Sequence, residues 1–369
     1  MKRCGIVVDI GTTTVTVGLI DVALKKEIAS LVDFNPQAEF GQDIVSRLSY
    51  SLKHKDGLQK LHNAIIKCIN GLVEKLLKEK GLKKSDLRKT IVAGNTVMEH
   101  FFLKISAEKL CEAPYVSDLP RGVIEFKNVY LLPIIKSFVG SDLTAGILYT
   151  KLGTPLGDTS LRGVPIGLSR KGARLLVDIG TNGEMALNYK GKLFVTSTAA
   201  GPAFEISDKG ILGSEIIEIV ASMLKNGIID KTGKLLGGDR HQKRCLSPCA
   251  LITQSDIRRI QVAKAAITAG MHVLLKKAGI GFKDLSVLYV AGKFGNFINK
   301  QAAIDIGLLP DINPQKIKFI GNAAYKGAIL ALCSGNELKK TEKIAEKAIH
   351  LSLFGRKDFQ EEFVRNMSF

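Results

Sequence analysis

The chain has 369 residues, is 46% apolar with a mean hydropathy of +0.13, and carries a formal charge of +18. That apolar content supports about two domains, each burying its own core, and excludes a chain that stays unfolded. No uncharged apolar stretch reaches about 18 residues, and Met1-Lys2-Arg3 runs straight into a strand. We therefore read neither a membrane span nor a signal peptide, and expect a cytoplasmic protein. The lysines gather on helix faces, as at Lys75, Lys78, Lys80, Lys83 and Lys84, without interleaved aromatics, and Trp is absent. This pattern suits a solvated face better than a nucleic-acid platform.

Taken in chain order, residues 4 to 22 read as a hairpin, and Leu58 to Gly81 as an amphipathic helix with apolar residues at 58, 61, 65, 69, 72 and 76. Thr90 to Gly94 reads as a buried strand feeding Asn95-Thr96 and a helix through Leu103. Tyr130 to Ile135 reads as a strand, and the run from Phe138 to Gly146 starts a helix with Ser141 as N-cap. Residues 151 to 173 are rich in Gly and Pro and mark a boundary. A second hairpin starts at Arg174, and Ile216 to Asn226 is helical up to Gly227. A long helix follows from Gln254 to Ala278, with Ser255 near its cap and Gly279 past its end. Val287 to Ala291 is a strand, Gly321-Asn322-Ala323-Ala324 opens a helix through Leu332, and Lys339 to Ser352 is a charged helix. The spaced phenylalanines of the tail are expected to pack back on the body.

The six cysteines are scattered, which points to reduced thiols. His241, Cys245 and Cys249 spell H-x3-C-x3-C, but a fourth ligand is missing and Pro248 interrupts the run. No C-x2-C or ferredoxin spacing occurs, so no iron–sulfur cluster is expected in this chain. There is no P-loop, no Ser-His-Asp arrangement and no zinc-hydrolase pattern.

The most informative feature is a phrase written twice. Asp9-Ile10-Gly11-Thr12-Thr13-Thr14 and Asp178-Ile179-Gly180-Thr181-Asn182-Gly183 stand about 170 residues apart, each after a β-branched run and before an alternating one. Each reads as strand, tight turn, strand. Such a turn offers N–H groups and hydroxyls to phosphoryl oxygens, and glycine lets the main chain approach them. The aspartate ending each first strand is placed to hold Mg²⁺ beside nucleotide phosphates.

Two copies in this arrangement resemble the acetate and sugar kinase, heat-shock cognate and actin (ASKHA) superfamily. The resemblance implies an α/β fold of two ribonuclease-H-like, actin-like ATPase lobes, residues 1–172 and 173–369, with a nucleotide cleft between them. Asp9 and Asp178 would then hold Mg²⁺, and Gly11, Thr12, Thr13, Gly180, Thr181 and Asn182 would line the phosphates of ATP. Gly292 and Gly295 in the Val290 to Asn296 stretch, together with Gly321, would border the nucleoside. It also implies a small-residue helix crossing after each hairpin, at Gly140 to Gly146 and at Gly321 to Ala328. Asp142, at the start of the first of these, would either orient the attacking water or cap the helix.

Further phrases are similar to the ATP-dependent reductive activators of corrinoid proteins. They include Asn35-Pro36-Gln37, the Phe40 to Arg47 stretch, Gly94-Asn95-Thr96 with Met98 and His100, and Phe138 to Ala145. Ser197 to Glu205, Gln254 to Arg258, Ala263-Lys264-Ala265-Ala266-Ile267 and Ala291 to Asn296 continue the match in order. This resemblance implies an ATPase that helps return cob(II)alamin on a corrinoid methyl-transfer protein to cob(I)alamin. Members usually carry an iron–sulfur domain, absent from this sequence, so a separate electron-donor protein is implied, and a homodimer is compatible with the reading. The chain also departs from the family between Glu205 and Gly210, where a stretch is nearly gone, and at Gly213-Ser214-Glu215, where the family has Gly-Ser-Gly. A small-molecule kinase of the same fold and a nucleotide-sensing module without turnover are the alternatives.

Overall fold

β-Branched runs flanked by glycine turns build two mixed sheets, and helices with one apolar stripe cover them. The computed structural model describes residues 4–153, 172–204, 213–236, 252–292 and 298–369. Its strands are β1 (Cys4–Ile10), β2 (Thr14–Asp21), β3 (Lys26–Phe34), β4 (Leu87–Gly94), β5 (Ile124–Phe126), β6 (Val129–Leu131), β7 (Ala173–Ile179), β8 (Asn182–Tyr189), β9 (Lys192–Ala199), β10 (Leu285–Ala291) and β11 (Ile317–Gly321). The helices are α1 (Ile44–Lys53), α2 (Gly57–Glu79), α3 (Thr96–Leu103), α4 (Ser141–Thr150), α5 (Gly213–Lys225), α6 (Gln254–Ala278), α7 (Lys300–Asp305), α8 (Ala323–Cys333), α9 (Gly335–Lys347) and α10 (Lys357–Arg365).

The first compact unit joins Met1–Thr154 to Ala323–His350, and the second joins Pro155–Asn322 to Leu351–Phe369. In the first, the sheet order is β3-β2-β1-β4-β6-β5. The strands β1, β2 and β3 form an antiparallel meander, and β4 and β6 run parallel to β1. Five strands of the second sheet follow the same plan, β9-β8-β7-β10-β11, with β7, β8 and β9 antiparallel and β10 and β11 parallel to β7. The repeated sequence phrase is thus a repeated topology: both copies link the first two strands of a ribonuclease-H-like sheet.

Where the sequence suggests one boundary near residue 172, the chain returns to its first unit at Ala323. Small residues explain the return. A Cβ on Gly327 would collide with the carbonyl of Ala145, so α8 and α4 meet backbone to backbone. The two helices expected to need small residues therefore pack on each other, with α8 also lying against β1 and β4.

In β1, Cys4, Ile6, Val8 and Ile10 face a core shared with α2 and α3, where α2 presents Leu61, Ile65, Ile69, Leu72 and Leu76. In β7, Ala173, Leu175, Val177 and Ile179 do the same toward α5 and α6. Because strand side chains alternate, Asp9 and Asp178 lie on the opposite faces of their sheets.

Several boundaries differ from the sequence reading. The strand expected from Tyr130 to Ile135 ends at Leu131, because Pro133 has no N–H for the ladder. The cap of α6 is Thr253, in a reciprocal pair with Asp256, and not Ser255. The charged helix starts at Gly335, capped by Ser334, and ends at Lys347. Ser141 lies inside α4 and Gly140 is its N-cap residue. The tail does pack back: Phe369 meets the second core, and buried Lys264 donates from Nζ to the carbonyls of Asn366 (2.8 Å) and Ser368 (2.6 Å). Burial pulls the Lys264 ammonium down to about 8.

Replacing Gly327 by Ala must push α8 off α4, so we expect a loss of about 1–3 kcal/mol in a urea melt. An unchanged midpoint would mean the helices do not meet as described.

Candidate functional site

The first turn is held from below by two asparagines. Gly11 N–H donates to Thr14 O at 3.0 Å and closes the turn. Asn35 Nδ2 donates to Gly11 O at 2.8 Å, and Asn35 N–H to Thr13 O at 2.8 Å. Asn95 Nδ2 donates to Thr12 Oγ1 at 3.0 Å, while its Oδ1 accepts from Met98 N–H at 3.1 Å and caps α3. Both asparagines are buried. The Gly11 and Thr13 carbonyls are thereby committed to Asn35.

The head of α4 sits on the same substructure. A Cβ at Gly140 would come within 2.5 Å of Gly94 O and 2.6 Å of Asn95 Cα, so only glycine fits there. Ser141 Oγ accepts from Gly94 N–H at 3.1 Å and donates to the buried carboxyl of Glu99 in α3. Burial pushes the Glu99 carboxyl well above the usual carboxylate range; the Ser141 hydrogen bond opposes this, and the nearby Asp142 charge adds to it. Asp142 itself is half-buried and accepts from Leu143 N–H at 2.7 Å through Oδ1, a capping contact in the first turn of α4. Its neighbour in sequence to Glu99, His100, is turned to Thr96 O, and burial lowers its pKa.

In the second unit the turn is closed by Gly180 N–H to Asn182 O at 3.1 Å, and Gly201 N–H donates to Thr181 O at 2.8 Å. Asp178 stands opposite Glu184 across β7 and β8. Gly292 has φ +123°, and a Cβ there would strike Ile179 O; Gly321 has φ +63°. Fold geometry alone accounts for these two glycines. Gly180 is different. Its φ is not positive, and an added Cβ would meet only Asn182 O at an ordinary 3.5 Å. Packing among the described residues therefore gives no reason for glycine at this position. The donors also fit magnesium, which beside phosphates needs only one or two carboxylates. Among the described residues no cluster of three His, Cys, Asp or Glu gathers as a metal site.

The structure therefore brings Asp9, Gly11, Thr12, Thr13 and Asp142 around residues 94–96 in the first unit. It sets Asp178, Gly180, Thr181, Asn182, Gly292 and Gly321 at the carboxyl ends of β7, β10 and β11 in the second, where ligands of open α/β sheets bind. Gly295 lies outside the described residues, as do His241, Cys245, Cys249 and the Glu205 to Gly210 stretch. At Gly213-Ser214-Glu215, glycine is needed because a Cβ would strike the Phe204 carbonyl, and Glu215 is exposed in the first turn of α5. Sequence reasoning gave no role to Asn35, Asn95 or Glu99. Glu99 had a signal: it is the one charged acid in the apolar run Val97-Met98-Glu99-His100-Phe101-Phe102.

Residues 4–154 match the family model of the RACo middle region, and residues 172–208 and 206–369 match that of the C-terminal domain of RACo, the ASKHA domain. The chain belongs to the RACo family. It is 29% identical to the corrinoid activation enzyme RamQ of Eubacterium limosum, over 99% of this chain and 70% of that protein. It is 23% identical to the [Co(II) methylated amine-specific corrinoid protein] reductase of Methanosarcina barkeri, over 99% of this chain and 77% of that one. A solved reductive activator for a corrinoid, iron-sulfur protein superposes with a TM-score of 0.87 at 32% identity, covering 100% of this chain and 66% of its own. The ASKHA fold class expected from the repeated phrase is thus that of the RACo family. No helix among the described residues is long and apolar enough to cross a membrane.

Asn35→Asp keeps an acceptor for Gln37 N–H but turns an oxygen toward Gly11 O at a fully buried position. We expect a loss of about 2–3 kcal/mol in denaturant unfolding, since a buried donor is exchanged for an unmatched acceptor. Wild-type stability in that variant would show that Asn35 does not hold the turn.

Proposed function

We propose that this RACo-family protein is an ATP-dependent activator of a corrinoid protein, supporting the return of cob(II)alamin to cob(I)alamin with electrons from a separate donor protein. The observation that carries this reading is the repeat of one Asp-Ile-Gly-Thr turn at the same place in two sheets of the same topology. The names borne by its relatives, a corrinoid activation enzyme and a corrinoid protein reductase, support the choice of partner.

Each residue has a task in this reading. Asp9 and Asp178 would hold Mg²⁺, which would supply charge neutralisation at the phosphates. Gly11, Thr12 and Thr13, with Gly180, Thr181 and Asn182, bind phosphoryl oxygens through N–H groups and hydroxyls. Gly292 and Gly321, with Gly295, flank the nucleoside. Asp142, at the start of α4, leaves its capping contact with Leu143 and orients the attacking water. Reducing cob(II)alamin is uphill for ordinary donors. Coupling of about 1–3 kcal/mol between nucleotide and partner moves the effective potential of a one-electron step by about 40–130 mV.

The decisive measurement mixes the protein, a cob(II) corrinoid protein, a low-potential reductant and ATP, and follows the cob(I) absorbance. The signal should need ATP and magnesium; a rate indifferent to nucleotide removes the activator reading, and phosphorylation of an acid or sugar instead would reassign the protein as a kinase. Asp142→Asn should lower ATP hydrolysis by about 10²-fold without weakening nucleotide binding. Asp9→Asn and Asp178→Asn should each raise the Kd for magnesium with a non-hydrolysable ATP analogue, and an unchanged Kd in either variant would remove that carboxylate from the reading.

A further inference from the structure

Glu99 occupies a place that an ionised carboxylate avoids. It is 1% exposed, in the α3 turn directly above the Asn95 cap, and among the described residues no basic side chain pairs with it. From α4 it is faced by the Ser141 hydroxyl, which donates to it, and by the charge of Asp142. Within α3 its neighbour His100 is engaged with Thr96 O at 2.8 Å and with Ser117 Oγ at 3.4 Å. Ser141 in turn accepts from Gly94 N–H, so Glu99, Ser141 and Gly94 link α3, the head of α4 and the end of β4. An isolated buried carboxylate is expensive, and a second negative charge beside Asp142 adds to that cost.

Resting on the nucleotide reading above, we propose that Glu99 is a positioning residue: its buried carboxyl keeps a proton, fixes Ser141 at the head of α4, and leaves the charge at that helix end to Asp142. Ionising Glu99 places a second carboxylate beside the group that faces the phosphates. Nucleotide binding is then weakened by charge, and the hydrogen bonds that seat α4 are rearranged. Glutamine reproduces the neutral form and cannot ionise.

The sign of the pH effect follows from the raised folded-state pKa. Between the unfolded and folded values the native protein binds more protons than the unfolded chain, so stability from this group is full below the unfolded value and falls as pH rises toward the folded one. The test uses the full chain, wild type and Glu99→Gln, from about pH 5 to pH 9, in two arms. One arm is the unfolding midpoint without nucleotide; the other is the Kd for magnesium with a non-hydrolysable ATP analogue. Wild type should lose midpoint, and lose affinity by up to about tenfold per pH unit, through one window, and Glu99→Gln should show neither fall. Parallel affinity profiles in the two proteins overturn the positioning role, even where the midpoints differ, because a purely structural glutamate moves only the first arm. Absence of nucleotide binding by wild type at every pH brings down the nucleotide reading, and this role with it, while the first arm still reports the proton. Should Glu99→Gln fail to fold, Asp142→Asn serves: removing the neighbouring charge should move the wild-type fall in midpoint to lower pH, and an unmoved fall counts against the proposal.

Discussion

Asn95 is the residue on which the first unit's site depends. Its amide nitrogen holds Thr12, its amide oxygen caps α3, and its backbone lies under Gly140 at the entry to α4. One residue therefore positions the turn after Asp9, a buried helix and the helix that carries Asp142. Each bond is worth only about 1 kcal/mol, but leaving a buried partner unmatched costs more, so the group behaves as a unit. This places Asn95 between the repeated phrase at Asp9 and the Glu99–Ser141 pair, two features that sequence separation hides from each other.

The two units solve the same packing problem with the same residue type. Gly94 in β4 lies against Ile10 O, where a Cβ would stand 2.9 Å away, and Gly292 after β10 lies against Ile179 O. In both sheets the strand parallel to the first passes so close to the Asp-Ile-Gly turn that a side chain is excluded. The turn glycine Gly180 has no such constraint. The glycines of the parallel strands are thus required by the sheet, whereas packing among the described residues places no such demand at Gly180.

Much of this was legible from sequence because the signals were local. The hairpin strands announced themselves by β-branched runs, α2 by its apolar stripe, and α6 by Gly279 at its left-handed end, φ +70°. What escaped depended on tertiary partners. Ser141 has the chemistry of an N-cap, yet its hydroxyl is taken by Gly94 and Glu99, one residue inside the helix. The β6 strand stopped early at a proline that periodicity ignores. The return of Ala323–His350 to the first unit is recorded in what its residues touch, Gly327 meeting Ala145 about 180 residues earlier in the chain. Asn35 and Asn95 stood inside recognised phrases, but their roles require knowing which carbonyl and hydroxyl lie beside them.

The late helix α8 gives the Asp9 face of the sheet its character. Tyr325 from α8 donates to Glu27 at 2.7 Å across Gly18, whose missing side chain makes room for the phenol. Burial and the Glu27 carboxylate raise the Tyr325 pKa, and the Asp9 charge contributes in the same direction. Charge at Asp9 is therefore felt by a helix that touches α4 at Gly327, without slack between their backbones. Close-packed interiors pass strain on rather than absorb it. Asp9, Tyr325, Gly327 and Ala145 thus lie along one closely packed path in the first unit, from the end of β1 through α8 to the helix that bears Asp142.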